Sequence, residues 1–138
     1  MASYNKFNSF VEAICEKIHN LGSDQLVVAL CAAANAPVAT NTQLSNLTQI
    51  SYTNLSSRNI TTSSSSQSSG TYKLVLTDLV LTASGGSVAT FRYVVIYNDT
   101  ATNDELICWY DYGSNVTLAD GETFTIDFDG TNGLFTLT

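Results

Sequence analysis

The residue types that most often carry catalysis are sparse in this chain and form no recognisable constellation. His19 is the only histidine, and catalysis there would require a partnered nucleophile or acid. We recognise no nucleophile–base pair, no carboxylate pair in a catalytic context and no phosphate-binding loop. The helix dipole offers another explanation of His19, since it favours a cation in the last turn of a helix. The sequence therefore predicts that the protein is not an enzyme.

One acidic turn contains residues that resemble the first part of a calcium-binding motif. Residues 127–130 (DFDG) resemble the start of a calcium loop, but an EF-hand loop needs Glu at its twelfth position, and Thr138 stands there. A hairpin turn in which Asp accepts turn hydrogen bonds explains the same residues. We predict no metal and no cofactor, with calcium at Asp127 and Asp129, joined by Asp111 or Asp120, as the alternative.

A group of aromatic residues is close enough in a sheet to line a sugar-binding face. Aromatic residues at alternating strand positions are more often part of a core or of a subunit interface. Both interpretations stay open for Tyr93, Tyr97, Trp109, Tyr110 and Tyr112.

Charge excludes two classes of partner. The chain has 138 residues, a net charge of −7 and only five basic residues, which form no patch. Binding to nucleic acid or to an anionic membrane surface is therefore not expected. No apolar segment approaches the ~18 residues of a membrane span. Charged residues make up 12% of the chain, about half the usual fraction, and Ser, Thr and Asn supply the polarity instead.

The cysteines indicate free thiols rather than disulfides. The chain has an odd number of cysteines, and no two of them have CxxC spacing; they are Cys15, Cys31 and Cys108. We therefore expect buried, reduced thiols. Charged residues, among them Glu12 and Lys17, interrupt the first apolar stripe, so no secretion signal is expected. The chain would then be synthesised and folded in a cytoplasm.

The N-terminal segment has helical periodicity. We predict an amphipathic helix over residues 3–21, with Gly22 as the residue that ends it. The helix either closes one open end of a β domain or docks on another subunit, with Phe7, Phe10 and Ile14 as the contact residues. Its apolar stripe consists of Phe7, Phe10, Val11, Ile14, Cys15, Ile18 and Leu21.

The remainder has the pattern of short strands separated by Gly, Asn and Asp turns. About eight antiparallel strands at this spacing predict a jelly-roll-like β-sandwich. We expect a single domain over 1–138, with the sandwich over 24–138. Residues 38–70 are the least informative, with short strands predicted near 47–51 and 57–63. The serine-rich stretch around 61–70 predicts either a flexible segment or an edge strand.

Two strands have a clear pattern. In residues 88–98, Phe91 is predicted to share a face with Tyr93, Val95 and Tyr97. Residues 123–128 (TFTIDF) alternate, with the apolar side chains predicted to point inward.

Three stretches of the chain resemble a family of small tailed-bacteriophage virion proteins. They are residues 4–24 (YNKFNSFVEAICEKIHNLGSD, continuing into APVATN at 36–41), 72–99 (YKLVLTDLVLTASGGSVATFRYVVIYND) and 109–133 (WYDYGSNVTLADGETFTIDFDGTNG). They cover over half of the chain, in the right order. The chain departs from the family's pattern in the serine run at 62–69.

The resemblance implies a capsid decoration (cement) protein. Such a protein binds the outer surface of an assembled head, contacts the major capsid protein and bridges neighbouring capsomers. We expect this chain to form a homo-oligomer, either a dimer or a trimer. The expected location is the exterior of the virion. The alternative is a tail, baseplate or adhesin-type module that recognises host-surface glycans through the region of Trp109 and Tyr110.

Overall fold

The protein is mainly β, with antiparallel sheets and one α-helix in the part of the chain that the structure describes, as the sequence predicts. The computed structural model describes residues 2–138, of which 42% are in strands and 9% are helical. The arrangement of its layers is compatible with a jelly-roll-like sandwich. None of the helices in these residues is long and apolar enough to cross a membrane.

Most of the secondary-structure elements are short strands. The α-helix α1 is Ser9–Cys15, and 3-10 turns occupy Ala33–Asn35 and Leu44–Asn46. The strands are β1 Tyr4–Lys6, β2 Leu26–Cys31, β3 Asn59–Ile60, β4 Thr62–Ser68, β5 Thr71–Leu76, β6 Leu79–Thr82, β7 Phe91–Asn98, β8 Leu106–Val116, β9 Thr123–Ile126 and β10 Phe135–Leu137.

Two layers enclose the main core. One layer is a five-stranded sheet in the order β1-β8-β7-β2-β3, and the other combines a three-stranded sheet, β10-β5-β4, with a two-stranded sheet, β6-β9. Side chains from both layers meet between them, among them Leu30, Phe91 and Ile96 from the first layer and Leu74 and Leu81 from the second. Burial of this apolar surface supplies the main driving force for folding.

The five-stranded sheet is also covered on its outer face. Val27, Ala29 and Val95 are buried there, with Leu44 and Leu47 of the long 32–50 connection packed over them. Backbone hydrogen bonds hold this connection in place, at 3.0 Å from Leu44 N to Asp104 O and from Leu106 N to Thr42 O. Strands buried on both faces have continuous apolar runs, which explains the LVVALC sequence of β2.

The helix is much shorter than the predicted 3–21, and both ends were placed wrongly. Residues of β1 pair instead with β8, in the register Tyr4 opposite Tyr110 and Lys6 opposite Cys108. At the other end, Lys17 adopts φ +65°, while Ile18 N donates to Ala13 O at 2.9 Å. This pairing is that of a Schellman motif, so the chain leaves the helix well before Gly22.

The serine-rich stretch forms β4, which lies at the edge of the three-stranded sheet. A register shift between Thr62 and Ser64 interrupts its pairing with β5. The strand predicted near 47–51 does not form, and a 3-10 turn at Leu44–Asn46 precedes that region. Its backbone instead docks on β2, since Ile50 N donates to Leu30 O at 3.0 Å, and the Ile50 side chain packs against the main core.

Strand β7 departs from the predicted alternation. Phe91 and Tyr93 are two residues apart in β7 but pair with residues five apart in β8, and a bulge of this kind locally disrupts the ladder and bends the chain. Phe91 therefore joins the main core, whereas Tyr93, Val95 and Tyr97 lie on the outer face. The prediction that all four share a face was wrong for Phe91.

Gly133 is required where the chain enters β10. It has φ +81°, and a Cβ atom at this position would lie 2.5 Å from the Leu74 carbonyl oxygen. The same carbonyl accepts the Leu134 amide at 2.7 Å, so the close approach attaches the last strand to β5.

We predict that Gly133→Ala destabilises the protein by about 3 kcal/mol or more, because it combines an unfavourable φ with a backbone clash. Gly121→Ala is the matched control, since Gly121 has φ +86° but open space around it; it should lose only about 1 kcal/mol. Urea unfolding measures both, and equal losses would contradict the role assigned to the Leu74 contact.

Candidate functional site: an aromatic groove

A groove of about 630 Å³ opens at one edge of the sandwich, where β1 and β8 approach β9 and the turn before β10. A volume of this size is typical of ligand-binding clefts. The lining is largely apolar and aromatic, and consists of Ala2, Tyr4, Val94, Tyr110, Tyr112, Phe124, Thr125, Ile126, Asp127, Phe128, Asp129, Gly133 and Leu134.

The aromatic side chains of the groove come from alternating positions and pack in pairs. Tyr110 and Tyr112 lie two residues apart on β8, so both point to one face. The Tyr112 ring is edge-on to Phe124 of β9, with centroids 5.3 Å apart, and Tyr4 of β1 lies edge-on to Tyr110 at 6.0 Å. Tyr112 remains 52% exposed, so an aromatic face is open to a partner.

The groove has acidic but no basic lining residues among residues 2–138. The Asp129 carboxylate accepts hydrogen bonds from the Thr131 and Asn132 amides, each at 2.8 Å. Bonding to Asn132 and Thr131 lowers the pKa of Asp129, so this carboxylate is already used by its own turn. The Asp127 carboxylate has no such partner among the described residues and is exposed.

The tyrosines of the groove are suited to binding rather than to proton transfer. Burial raises the pKa of Tyr4 and of Tyr110 well above the ordinary value for a phenol. Both hydroxyls therefore stay protonated near neutral pH, where they can donate hydrogen bonds to an acceptor on a ligand.

The predicted sugar-binding set is divided between two faces. Tyr93, Tyr97 and Trp109 pack on the outer face of the sheet, where the Trp109 ring lies 4.6 Å from that of Phe7. Only Tyr110 and Tyr112 reach the groove. Trp109 and Tyr110 cannot act together on one ligand, since successive residues of a strand point to opposite faces.

The predicted contact residues of the helix lie inside the protein. Phe7 is 0% and Phe10 2% exposed, while Ile14 packs partly buried against the main core. Phe7 directly follows β1 and belongs to the outer-face cluster, whereas Phe10 lies in α1 and belongs to the main core. The prediction that Phe7 and Phe10 contact a partner is therefore wrong, and the arrangement favours the alternative in which the helix closes its own domain.

The acidic turn is explained by its own hydrogen bonds. No group of three or more His, Cys, Asp and Glu side chains within residues 2–138 is placed to hold a metal ion. The Asp129 carboxylate caps its turn by accepting the Thr131 and Asn132 amides, which is the alternative that the sequence offered for residues 127–130.

Two of the cysteines are buried, Cys31 and Cys108, whereas Cys15 is exposed. Burial raises the pKa of Cys31 to about 11, which makes it an inert thiol at neutral pH. Cys15 was expected to be buried on the helix, but it falls at the last turn of a helix that ends earlier than predicted.

His19 lies in a buried polar junction rather than in the groove. Its Nδ1 is 2.9 Å from Asn98 Nδ2, and the same amide donates to Asp24 Oδ2 at 2.6 Å. Because Asn98 donates, His19 accepts at Nδ1 and is neutral, with its proton on Nε2. Nε2 is buried and has no hydrogen-bond partner among the described residues.

Sequence reasoning missed Tyr4 and Asp127 as groove residues. Tyr4 was assigned to a helix, and its pairing with β8 is a long-range contact that local periodicity does not contain. The alternation of residues 123–128 did indicate where Phe124 points, but not that the edge of β9 stays open.

No family model, curated protein or solved structure matches this chain.

We predict that the free energy of unfolding falls as the pH is lowered below about 6.5. Burial lowers the pKa of His19 from its ordinary 6.5, against the opposing effect of the Glu105 and Asp24 carboxylates. The unfolded chain then binds more protons than the folded one below this pH, with a slope of up to ~1.4 kcal/mol per pH unit. Denaturant unfolding at several pH values between 7.5 and 5.5 measures this change in the free energy of unfolding.

The control for this prediction is His19→Asn, whose side-chain amide can face Asn98 without titrating. The slope should disappear in this variant. A wild-type protein whose stability does not change over this range, or a variant with the same slope, would contradict the assignment to His19.

Proposed function

We propose that this protein is a non-enzymatic virion structural protein that binds the outer surface of an assembled phage capsid and stabilises it by bridging capsomers. The observation that carries the proposal is the origin of the groove. All of its lining residues except Ala2 and Leu134 come from the three stretches, 4–24, 72–99 and 109–133, that resemble tailed-phage virion proteins. Residues distant in the sequence therefore meet at one surface feature.

The surface supports a role in protein contacts. The described residues contain a single ion pair, Arg92 to Asp111 at 2.8 Å, and charged residues make up only 12% of the chain. Protein interfaces are depleted of charge at their centre and enriched in Tyr. The exposed ring of Tyr112, which lines a largely apolar and aromatic groove, fits an aromatic anchor at the centre of such a contact.

The proposed mechanism is mass action. Subunits that bind the assembled lattice but not the free coat protein stabilise the lattice by a free energy that grows with their concentration relative to the Kd. A dimer or trimer that contacts two capsomers adds avidity, so that each contact can be weak. The major capsid protein is the proposed partner, and the virion exterior is the proposed location.

Glycan recognition by a tail or adhesin-type module is the second candidate. It is favoured by the combination of exposed aromatic rings with the unpaired Asp127 carboxylate, since sugars stack on aromatic faces and donate to carboxylates. The site would be the groove and not Trp109. Saturable binding on a glycan array, lost in Tyr112→Ala, would favour this candidate.

We predict that purified protein added to heads lacking it raises the temperature at which they release DNA. Tyr112→Ala should weaken binding to these heads by roughly tenfold or more, the usual effect of truncating an aromatic anchor. Val38→Ala is the matched control, because Val38 is also 52% exposed but does not line the groove. Heads with unchanged heat resistance, with and without the protein, would contradict the proposed function.

A further inference from the structure

One wall of the groove is the edge of a strand. Six consecutive residues, 124–129, line the groove, although side chains of successive strand residues point to opposite faces. A ligand that touches all six must therefore lie along the backbone of β9 and the residues after it. At about 3.3 Å per residue, this wall is roughly 20 Å long.

The backbone of β9 on this side has no strand partner within residues 2–138. β9 pairs only with β6, in a two-stranded sheet with Leu79 opposite Ile126 and Thr82 opposite Thr123. Antiparallel pairing uses the N–H and C=O groups of alternate residues, and the other residues direct theirs outward. A free edge of this kind is a template for an added strand.

The opposite wall is also incomplete. β1 pairs with β8 only over Cys108, Trp109 and Tyr110, so in the described part of the chain the same side of β8 carries no strand beyond Tyr110. The half-exposed Tyr112 ring belongs to this unpaired part of β8 and lies edge-on to the Phe124 ring of β9. An added strand would thus have an aromatic cover on one side.

The charge of the groove selects the occupant. Its described lining includes Asp127 and Asp129 and no cationic side chain, while Asp129 is engaged by its own turn. A Lys or Arg side chain would pair with Asp127 and contact the aromatic faces, an arrangement that both ion pairing and cation–π attraction favour. A second copy of this chain is a poor occupant, because each copy carries a net charge of −7.

We propose that the groove binds an extended, positively charged polypeptide segment, which adds as a strand to the free edge of β9 and places a Lys or Arg side chain against Asp127. The inference rests on the proposed function for the identity of the partner, since the segment would belong to the coat protein. A saccharide would use the aromatic faces but would leave the row of backbone donors and acceptors unmatched.

The test begins with a displayed library of random heptapeptides, selected on the wild-type protein. Enriched peptides should contain at least one Lys or Arg and alternate with apolar residues. Their affinity, measured with synthetic peptides by fluorescence anisotropy, should fall at least tenfold in Asp127→Asn and in Tyr112→Ala. Asp99→Asn is the matched control, since it removes one exposed charge outside the groove and should bind as the wild type does.

Hydrogen exchange separates strand addition from capture by side chains alone. A bound peptide should slow exchange of amides in residues 123–127. Unchanged exchange there, peptides that bind all variants equally, an absence of enrichment, or saturable binding of glycans or of a second copy at the groove would overturn the inference.

The selection uses no coat protein, so it can fail while the protein is still found on the head. Failure would then remove the extended-segment inference alone. Conversely, the selection could enrich basic peptides while the protein is absent from purified virions. This result would support the peptide-binding site but exclude the coat protein as its partner.

Discussion

The structure depends on a sheet that is buried on both faces. Val28, Leu30 and Ile96 of the central strands face the main core, while Val27, Ala29 and Val95 face the outer cluster. Neither face can be left to water, so the second layer must cover one and the 32–50 connection the other. This explains why a chain with so little secondary structure between residues 32 and 58 still has an ordered, hydrogen-bonded path there.

The groove follows from how that sheet ends. β1 extends the sheet by only three residues, and β9 belongs to a two-stranded sheet that does not continue into a neighbour within residues 2–138. The two layers therefore do not close along this edge, and aromatic rings from Tyr4, Tyr110, Tyr112 and Phe124 partly fill the space. An open strand edge is normally a liability for aggregation, which makes a specific occupant a physically reasonable use of it.

Local patterns predicted the class of fold and several strands, whereas long-range pairing decided the rest. The alternation of residues 123–128 indicated that Ile126 and Phe128 point inward, and both are buried. The N-terminal stripe was misread because the ladder between Tyr4–Lys6 and β8 outweighs helical periodicity, and its partner lies about a hundred residues away. Phe91 was placed on the wrong face because the break in the β7–β8 ladder between Phe91 and Tyr93 is not visible in a pattern of apolar residues. The groove combines these features and could not be assembled from the sequence alone.

The central claim is that this protein decorates the head of a virion, and its copy number tests that claim most directly. Quantitative mass spectrometry of gradient-purified particles, with the major coat protein as the internal reference, gives the number. Decoration of the head predicts hundreds of copies per particle. A handful of copies would instead place the protein in the tail or baseplate, and its absence from purified particles would contradict a virion role altogether.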